Sequence, residues 1–516
     1  MLDRLKALAR IVEEGIDPYP HSFTPTHAIA EIRRANQGEL RLKGPLATAG
    51  RVMAIRRHGK VLFADLLDEG ERLQIYLTAE RLGDRYSWFL RNINRGDFLG
   101  VRGELFFTQK GELTLNVDEY VLLAKSLLEL PSKWHGLRDV EERYRKRYLD
   151  LLLNGEARRI LLVRFSLIRE LRRQLEARGF IEVETPILQP LYGGAAARPF
   201  RTTIRALGEE WYLRISEELP LKKLLVAGFD RVYEIGKVFR NEDIDVMHNP
   251  EFTMLEAYQA YADYNDMMRL AEEVLCAAIR GVLGGYRVSW MGKELDFTPP
   301  WRRIRLYEAL EKYAGVRAQE AAEEELRSLL RQKGLEAPSE MPRGLLLEKV
   351  FDLYCRPQLL NPTFVLDYPR ETTPLCKPHR AQPGLVERFE LFAGGLELAN
   401  AYSELNNPLL QHRFFLEEQR IHAAEVEMAH RYDADFVEAL MYGMPPAGGI
   451  GIGIDRLAML LAGAPSIKEV LLAPIMKRVL NPSPFEGVEV EELTRKFLKE
   501  APPLRPGTGQ WSSLVG

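Results

Sequence analysis

Val232-Tyr233-Glu234-Ile235-Gly236-Lys237-Val238-Phe239-Arg240-Asn241-Glu242, a loop through His248-Asn249-Pro250, and Glu251-Phe252-Thr253-Met254-Leu255-Glu256-Ala257-Tyr258 read as two apolar strands carrying unusually dense charge. Strand side chains alternate, so Arg240 and Glu242 share one face, and Phe252, Glu256 and Tyr258 share one face of the next strand. One sheet surface then presents a guanidinium, two carboxylates, an aromatic plate and a phenol. A buried ion pair between Arg240 and Glu256 is the plainer alternative. Desolvating several charges only for stability costs more than it returns, so the pair of strands reads as a site.

Two later segments have the same character. Arg388-Phe389-Glu390-Leu391-Phe392, Gly394-Gly395 and Leu396-Glu397-Leu398-Ala399-Asn400-Ala401-Tyr402-Ser403-Glu404-Leu405 form a hairpin pattern. Asn400, Tyr402 and Glu404 fall on one face and Glu397 on the other. For Glu397 to join them a bulge must intervene. Two carboxylates near such a hairpin can hold a hard cation such as Mg²⁺ beside phosphates. Gly448-Gly449-Ile450-Gly451-Ile452-Gly453-Ile454-Asp455-Arg456 then alternates packed isoleucine with bare backbone, which lets a flat ligand approach closely. Arg456 stands at a helix start, where a cation serves an anionic ligand rather than the helix dipole. Upstream, Leu161, Phe165, Ile168, Leu171 and Leu175 give a helical stripe over about Glu156–Arg178. Gly179 caps it, and Phe180-Ile181-Glu182-Val183-Glu184-Thr185-Pro186 reads as a strand ended by proline.

Residues 47–128 change character. Short alternating runs at Val52–Ile55, Val61–Leu67, Leu73–Leu77, Phe98–Leu105 and Leu113–Leu122, punctuated by glycine turns, predict a small five-stranded β-barrel of the oligonucleotide-binding (OB) type. Arg51, Arg56, Arg57, Lys60, Phe63, Phe106 and Phe107 suit stacking and phosphate contact with single-stranded nucleic acid, although aromatics in small barrels are commonly core. Residues 1–46 read as a helical arm, with helices to about Gly15 and near Ile29–Asn36. Residues 129–157 form a charged connector with Arg138, Arg143, Arg145, Lys146 and Arg147, which suits a solvated helix face as well as an RNA backbone. Residues 158–476 alternate strands and helices. Residues 477–516 are a tail with a helix at Glu489–Lys499 and no assigned role.

The 516 residues are 46% hydrophobic and 28% charged, with a formal charge of −3. A globally basic nucleic-acid binder and wholesale disorder are both disfavoured. No run of about 18 apolar residues suggests a membrane span. The start, Met1-Leu2-Asp3-Arg4-Leu5-Lys6, is unlike a signal segment, and the expected location is cytoplasmic. Cys276, Cys355 and Cys376 form no CxxC pair and read as reduced structural thiols. Neither GxxxxGK[ST] nor a strand-following GxGxxG occurs.

In this order, the three segments resemble motifs 1, 2 and 3 of class II aminoacyl-tRNA synthetases, the first formed by the helix and the strand ending at Pro186. Gly193-Gly194-Ala195-Ala196-Ala197-Arg198-Pro199-Phe200, His248-Asn249-Pro250-Glu251-Phe252-Thr253-Met254, Tyr402-Ser403-Glu404-Leu405-Asn406 and Arg143-Tyr144-Arg145-Lys146-Arg147-Tyr148-Leu149-Asp150 resemble the bacterial lysyl-tRNA synthetases over residues 1–476. The resemblance implies an α+β chain, an OB anticodon-binding barrel followed by a catalytic domain with an antiparallel sheet flanked by helices. It implies a homodimer through the motif 1 segment, acting on ATP, L-lysine and tRNA(Lys) with Mg²⁺.

By resemblance, Arg240 bridges the lysine carboxylate and the α-phosphate of ATP. Glu242 reads the adenine amino group, Phe252 stacks on the ring, and His248 and Arg456 hold the outer phosphates. Glu390 and Glu397 bind Mg²⁺. Glu218 takes the α-ammonium with the Gly193-Gly194 backbone. Glu256, Tyr258 and Glu404 enclose the ε-ammonium, with Tyr402 beside them and Asn400 at the carboxylate end. Arg56, Phe63, Gln74 and Glu112 match anticodon contacts. The charges agree independently, because Glu256 and Glu404 reject an anionic side chain and pair with an ammonium. Asp243 and Leu396 depart from the family's usual glycine and arginine. The rivals are a paralogue that lysylates a protein or lipid, which resembles a barrel-less or membrane-spanning form, and a silent RNA-binding module.

Overall fold

The computed structural model describes residues 1–131, 137, 139–421, 431–479 and 483–497. These form two compact units, one of residues 1–140 with the described residues from 477 onward, the other Glu141–Met476.

In the first unit the strands Leu46–His58, Val61–Asp68, Glu71–Thr78, Phe98–Phe107 and Leu113–Ala124 close into a barrel. Alternation decides which side is core: Leu62, Ala64, Leu66, Leu73, Ile75, Leu77, Leu115 and Val117 fill it. The strands run longer than the apolar runs suggest. Thr48 pairs with Val101 and Arg51 with Phe98, so the ladder carries the first strand beyond its hydrophobic stretch. Two short helices, Ala79–Leu82 and Asp84–Asn92, stand between the third and fourth strands. The N-terminal helices span Leu2–Glu13 and Ile29–Ala35. Among the described residues of the tail Glu491–Arg495 is α-helical, and the end of the expected Glu489–Lys499 helix lies outside the described residues, as does Arg138.

The second unit is built on an eight-stranded sheet in the order Arg302–Arg305, Thr363–Pro369, Leu385–Ala393, Leu396–Ser403, Ala447–Gly453, Glu251–Ala260, Arg231–Phe239 and Ile181–Glu182. Its six central strands are antiparallel, and the first and last strands pair parallel with their neighbours. The helix Gly155–Glu176 and the helix Tyr264–Leu283 cover one face. Leu161, Leu171 and Leu175 are buried as expected, whereas Phe165 is exposed with Leu162. The strand expected at Phe180–Pro186 is only two residues long: Val183 N–H still donates to the Tyr233 carbonyl, but the Thr185 N–H and hydroxyl go to the Glu234 side chain and not to a backbone ladder.

Of the described connector cations Arg147 is buried, Arg143 and Arg145 are half-buried and Lys146 is exposed. Arg147 is buried and bonds Asp150 Oδ2 at 2.5 Å, Arg143 bonds Asp150 Oδ1 at 2.8 Å, and the Tyr144 hydroxyl donates to Glu469 at 2.9 Å. Arg145 and Lys146 make helical pairs with Glu141 and Glu142. All three cysteines are buried and unbridged.

Candidate active site

A cavity of about 420 Å³ opens over the central strands. The cross-strand register explains its wall. Met254, Glu256 and Tyr258 pair with Gly453, Gly451 and Gly449, which pair in turn with Asn400 (at Gly451) and Tyr402 (at Gly449). The glycine face therefore lies between two rows of functional side chains. At Gly449 the close approach is absolute: a Cβ would stand 2.2 Å from Glu404 Oε1 and 2.4 Å from the Tyr258 ring. Gly449→Ala is expected to raise the KM for whatever occupies this floor by roughly tenfold or more through overpacking, with a smaller effect on a nucleotide bound nearer Gly453. Steady-state kinetics with each substrate varied separately would check this.

The strand Arg231–Phe239 stops one residue before Arg240, so Arg240 and Glu242 reach the cavity from the following loop and not from strand alternation. The backbone closes this turn, with Arg240 N–H donating to Pro250 and Glu242 N–H to Arg240. The Arg240 guanidinium lies over the Phe252 ring at 5.2 Å. Burial lowers its pKa against the opposing pull of Glu242 and Glu397. Asp243 also lines the cavity, and Leu396 packs against the core.

The bulge that Glu397 requires is present. Phe392 pairs with Glu397 while Leu391 pairs with Ala399, so Leu398 is the extra residue and Glu397 swings to the cavity side with Asn400. Arg456 donates to Glu397 Oε2 at 3.2 Å and approaches His248 Nε2 at 3.2 Å, while His248 Nδ1 faces Asp245 at 2.8 Å. Arg456 is carried on the helix Ile454–Ala462, fastened by its neighbour. Asp455 accepts from the Thr253 backbone at 2.7 Å and from Arg164 at 2.7 Å, and Arg164 also donates to Thr253 Oγ1. That clamp ties the helix Gly155–Glu176 to one strand of the site and to the helix that carries Arg456.

Glu390 behaves differently from the other predicted residues. It does not line the cavity and is bonded to the Arg388 guanidinium and, at 2.9 Å, to the Tyr368 hydroxyl. Burial raises its pKa to about 8, Arg388 opposes this, and Glu397, Glu348 and Asp352 add like-charge pressure. Among the described residues no group of three or more His, Cys, Asp or Glu is arranged to hold a metal by itself. Two carboxylates under mutual repulsion nevertheless suit Mg²⁺, which binds through one or two protein carboxylates and takes its remaining oxygens from phosphates and water.

The other end of the cavity is acidic. Glu256 Oε1 accepts from Ser216 Oγ at 2.7 Å and from the Glu217 backbone at 3.0 Å, and Glu256 Oε2 accepts from Tyr258 at 2.9 Å. Glu404 and Glu218 meet the buried Lys222 ammonium. Burial raises the carboxyl pKa values of Glu218 and Glu404, the latter to about 8, with Lys222 opposing in each case. Gly194 lines the cavity near Ser216, and Gly193 packs beneath it against Leu219. Behind this wall Arg214 bonds Glu234 at 2.6 Å and Glu217 at 3.1 Å, in space that exists only because Gly236 lacks a Cβ. Sequence reading missed Ser216, Arg214, Lys222, Arg388 and Asp455 as site residues. Of these, only Arg388 and Asp455 carried a visible signal, as charges inside apolar strand or helix-start patterns.

On the barrel, cross-strand pairing makes two rows, Arg56, Phe63, Tyr76 and Asn116 beside Asp65, Gln74, Thr114 and Phe106. Phe63 and Tyr76 rings lie 4.9 Å apart and Phe106 is 5.8 Å from Tyr76. Arg56 bonds Asp65 at 2.6 Å and Gln74 at 3.2 Å, and Glu112 sits 3.9 Å from Arg33. Three of the four predicted residues thus share one face. Tyr76, in the middle of it, was hidden in an otherwise apolar run.

Residues 139–477 match the family model described as tRNA synthetases class II (D, K and N), and residues 47–123 match the OB-fold nucleic acid binding domain. The chain is 50% identical over 479 residues to a lysine–tRNA ligase of Saccharolobus solfataricus, covering 92% of this chain and 97% of the relative. It is 52% identical over 481 residues to that of Sulfolobus acidocaldarius (92% and 96%) and 47% over 493 residues to that of Thermotoga maritima (95% and 97%).

Proposed function

The chain belongs to the class II lysine–tRNA ligases, and on that premise we propose that it forms lysyl-adenylate from L-lysine and ATP and then lysylates tRNA(Lys). The observation that carries the choice of amino acid is the convergence of Glu256, Glu404 and Glu218 at one end of a cavity whose other end holds Arg240, Arg456 and His248. A dicationic amino acid fits between them with its carboxylate toward Arg240. Aspartate would leave buried carboxylates facing an anion, and asparagine would leave them without an ammonium.

The lysine carboxylate attacks the α-phosphate of ATP in line and pyrophosphate leaves. Arg240 orients the carboxylate and stabilises charge developing on the α-phosphate, with Phe252 holding its guanidinium from below. Phe252 and Glu242 receive the adenine, and His248 and Arg456 the outer phosphates. Glu218 and the Gly193-Gly194 backbone take the α-ammonium, Asn400 the carboxylate end, and Glu256, Tyr258, Tyr402 and Glu404 the ε-ammonium. Glu390 and Glu397 would hold Mg²⁺, which would neutralise phosphate charge. The terminal ribose hydroxyl of tRNA then attacks the mixed anhydride and AMP leaves.

Exposed Leu162, Phe165, Ile181, Ile187 and Leu188 support a homodimer through the motif 1 segment. No described helix is long and apolar enough to cross a membrane, and the substrates point to the cytoplasm. Relatives from Saccharolobus, Sulfolobus and Thermotoga are similar to the chain to a comparable degree, so the likeness is to lysine–tRNA ligases at large and not to the bacterial ones in particular.

Charging of total bacterial tRNA with ATP, Mg²⁺ and each of lysine, asparagine and aspartate tests the reading. Lysine alone is expected to be esterified, and charging with either other amino acid would overturn the assignment. Lysine-dependent pyrophosphate exchange without charging would move the acceptor from tRNA to another molecule. For the barrel, Phe63→Ala is expected to raise the KM for tRNA about tenfold through lost stacking, with lysine-dependent pyrophosphate exchange unchanged. An unchanged tRNA KM would remove the aromatic face from the anticodon contact.

A further inference from the structure

The acidic end of the cavity contains a cation of its own. Lys222 lies on the helix Glu218–Val226, its side chain wholly buried. Its Nζ is 2.5 Å from Glu404 Oε2 and bonds Glu218 one turn earlier on the helix. The Phe436 ring closes the remaining side at 6.0 Å. No other donor among the described residues satisfies Glu404.

The charge count is informative. Around Lys222 the cavity wall carries Glu218, Glu256 and Glu404; elsewhere on the wall Glu348 pairs with Arg388, and Glu217 lies behind it, paired with Arg214. Three carboxylates and one resident ammonium leave two negative charges, which equals the two ammonium groups of lysine once its carboxylate is taken by Arg240. We propose that Lys222 is a specificity-determining counter-ion: it favours the charged forms of Glu218 and Glu404 and trims the pocket to the charge of a dicationic amino acid. This rests on the lysine reading above. Lys222 is a positioning residue, since it touches the carboxylates and not the reacting atoms.

The surrounding groups make the balance sensitive to protons. On Lys222's own helix stands Glu218, on the strand Glu251–Ala260 stand Glu256 and Tyr258, and at the end of Leu396–Ser403 stand Tyr402 and Glu404, with Cys376 bridged beside Glu404. Burial raises Tyr258, Tyr402 and Cys376, so they stay neutral and supply no charge. Burial raises Glu404 and Glu218 and Lys222 opposes it, so without Lys222 both hold their protons to higher pH than in wild type and one more is released when lysine binds.

Lysine-dependent pyrophosphate exchange by Lys222→Met, followed from pH 6.5 to 9, tests this. The KM for lysine is expected to rise about 30-fold at pH 7 and to fall steeply toward the wild-type value as pH rises, with the KM for ATP within about threefold throughout. Calorimetric titration of lysine in two buffers of different ionisation heat should show about one more proton released than by wild type. Lys222→Arg should restore the wild-type profile. A lysine KM that parallels wild type across the range, with equal proton release, would overturn the proposal. Should Lys222→Met not accumulate folded, the double variant Lys222→Met, Glu218→Gln removes one charge of each sign. Recovery of its melting temperature toward wild type is expected, and its failure to recover would also overturn the proposal. If wild type itself shows no lysine-dependent exchange, the lysine reading falls and this inference with it.

Discussion

Arg240→Ala is expected to lower kcat for lysyl-adenylate formation by about 10²–10³, as for other losses of a group aimed at developing charge, while the folded state keeps most of its stability. The two effects separate for a physical reason. The guanidinium is desolvated in the cavity wall, its pKa is depressed by burial, and its hydrogen bond to the Ile215 carbonyl is long at 3.4 Å. Its cation–π contact with Phe252 recovers only part of that cost. The interaction that repays it arrives with two anions, the amino acid carboxylate and the α-phosphate. Removing the side chain therefore relieves the free protein and disables the transition state. Arg240→Lys should rescue little, because a point charge cannot bridge both groups in a plane. Pyrophosphate exchange and a melting curve on the same preparation check it. A kcat within about threefold of wild type would remove Arg240 from the reaction, and a fall in melting temperature large enough to account for the lost activity would make its role structural.

The distribution of what could be read from sequence follows from the same physics. The stripe Leu161, Leu171 and Leu175 and the alternation of Val61–Asp68 announce their elements, because one face of each is buried in a single core. Face-sharing at Phe252, Glu256 and Tyr258 was equally legible, since strand parity is local. Parity also exposed the conflict at Glu397, whose resolution needed one extra residue at Leu398. Arg240 and Glu242 line the cavity, but not through strand parity, because the strand ends at Phe239 and both residues lie on the loop that follows. The helices Ala79–Leu82 and Asp84–Asn92 went unrecognised because Gly83 divides them into lengths too short to show a period. Phe165 belongs to the apolar stripe and yet faces solvent in the single chain, so periodicity marks an apolar face without saying what covers it. Lys222 had no local signal at all. A lysine on a short helix is buried only because carboxylates from the strand Leu396–Ser403 and its own preceding turn converge on it, and that convergence is a property of the sheet order.

Glu404→Gln carries the most direct consequence for substrate choice. The substitution is isosteric and removes only charge, and the KM for lysine is expected to rise about 10²-fold, the usual cost of truncating one side of a desolvated ion pair. The KM for ATP should stay within about threefold, since Phe252, Glu242 and Arg456 lie at the other end of the cavity. The pH dependence fixes the sign. Burial, only partly offset by Lys222, raises the Glu404 carboxyl to about 8. Its ionised form, and the lysine affinity that depends on it, is therefore present above that pH and lost as pH falls through it. Wild-type KM for lysine should drop as pH rises from 6.5 toward 8.5 and then level, whereas the variant, having nothing to ionise at that position, should show a much flatter profile. Lys222 retains Glu218 as a partner, so the variant is expected to fold and the kinetics to be interpretable. Equal lysine KM values for wild type and variant would place the ε-ammonium elsewhere and return the specificity to Glu256 alone. A raised KM that keeps the wild-type pH profile would mean that the titrating carboxyl is Glu218, the other neighbour of Lys222.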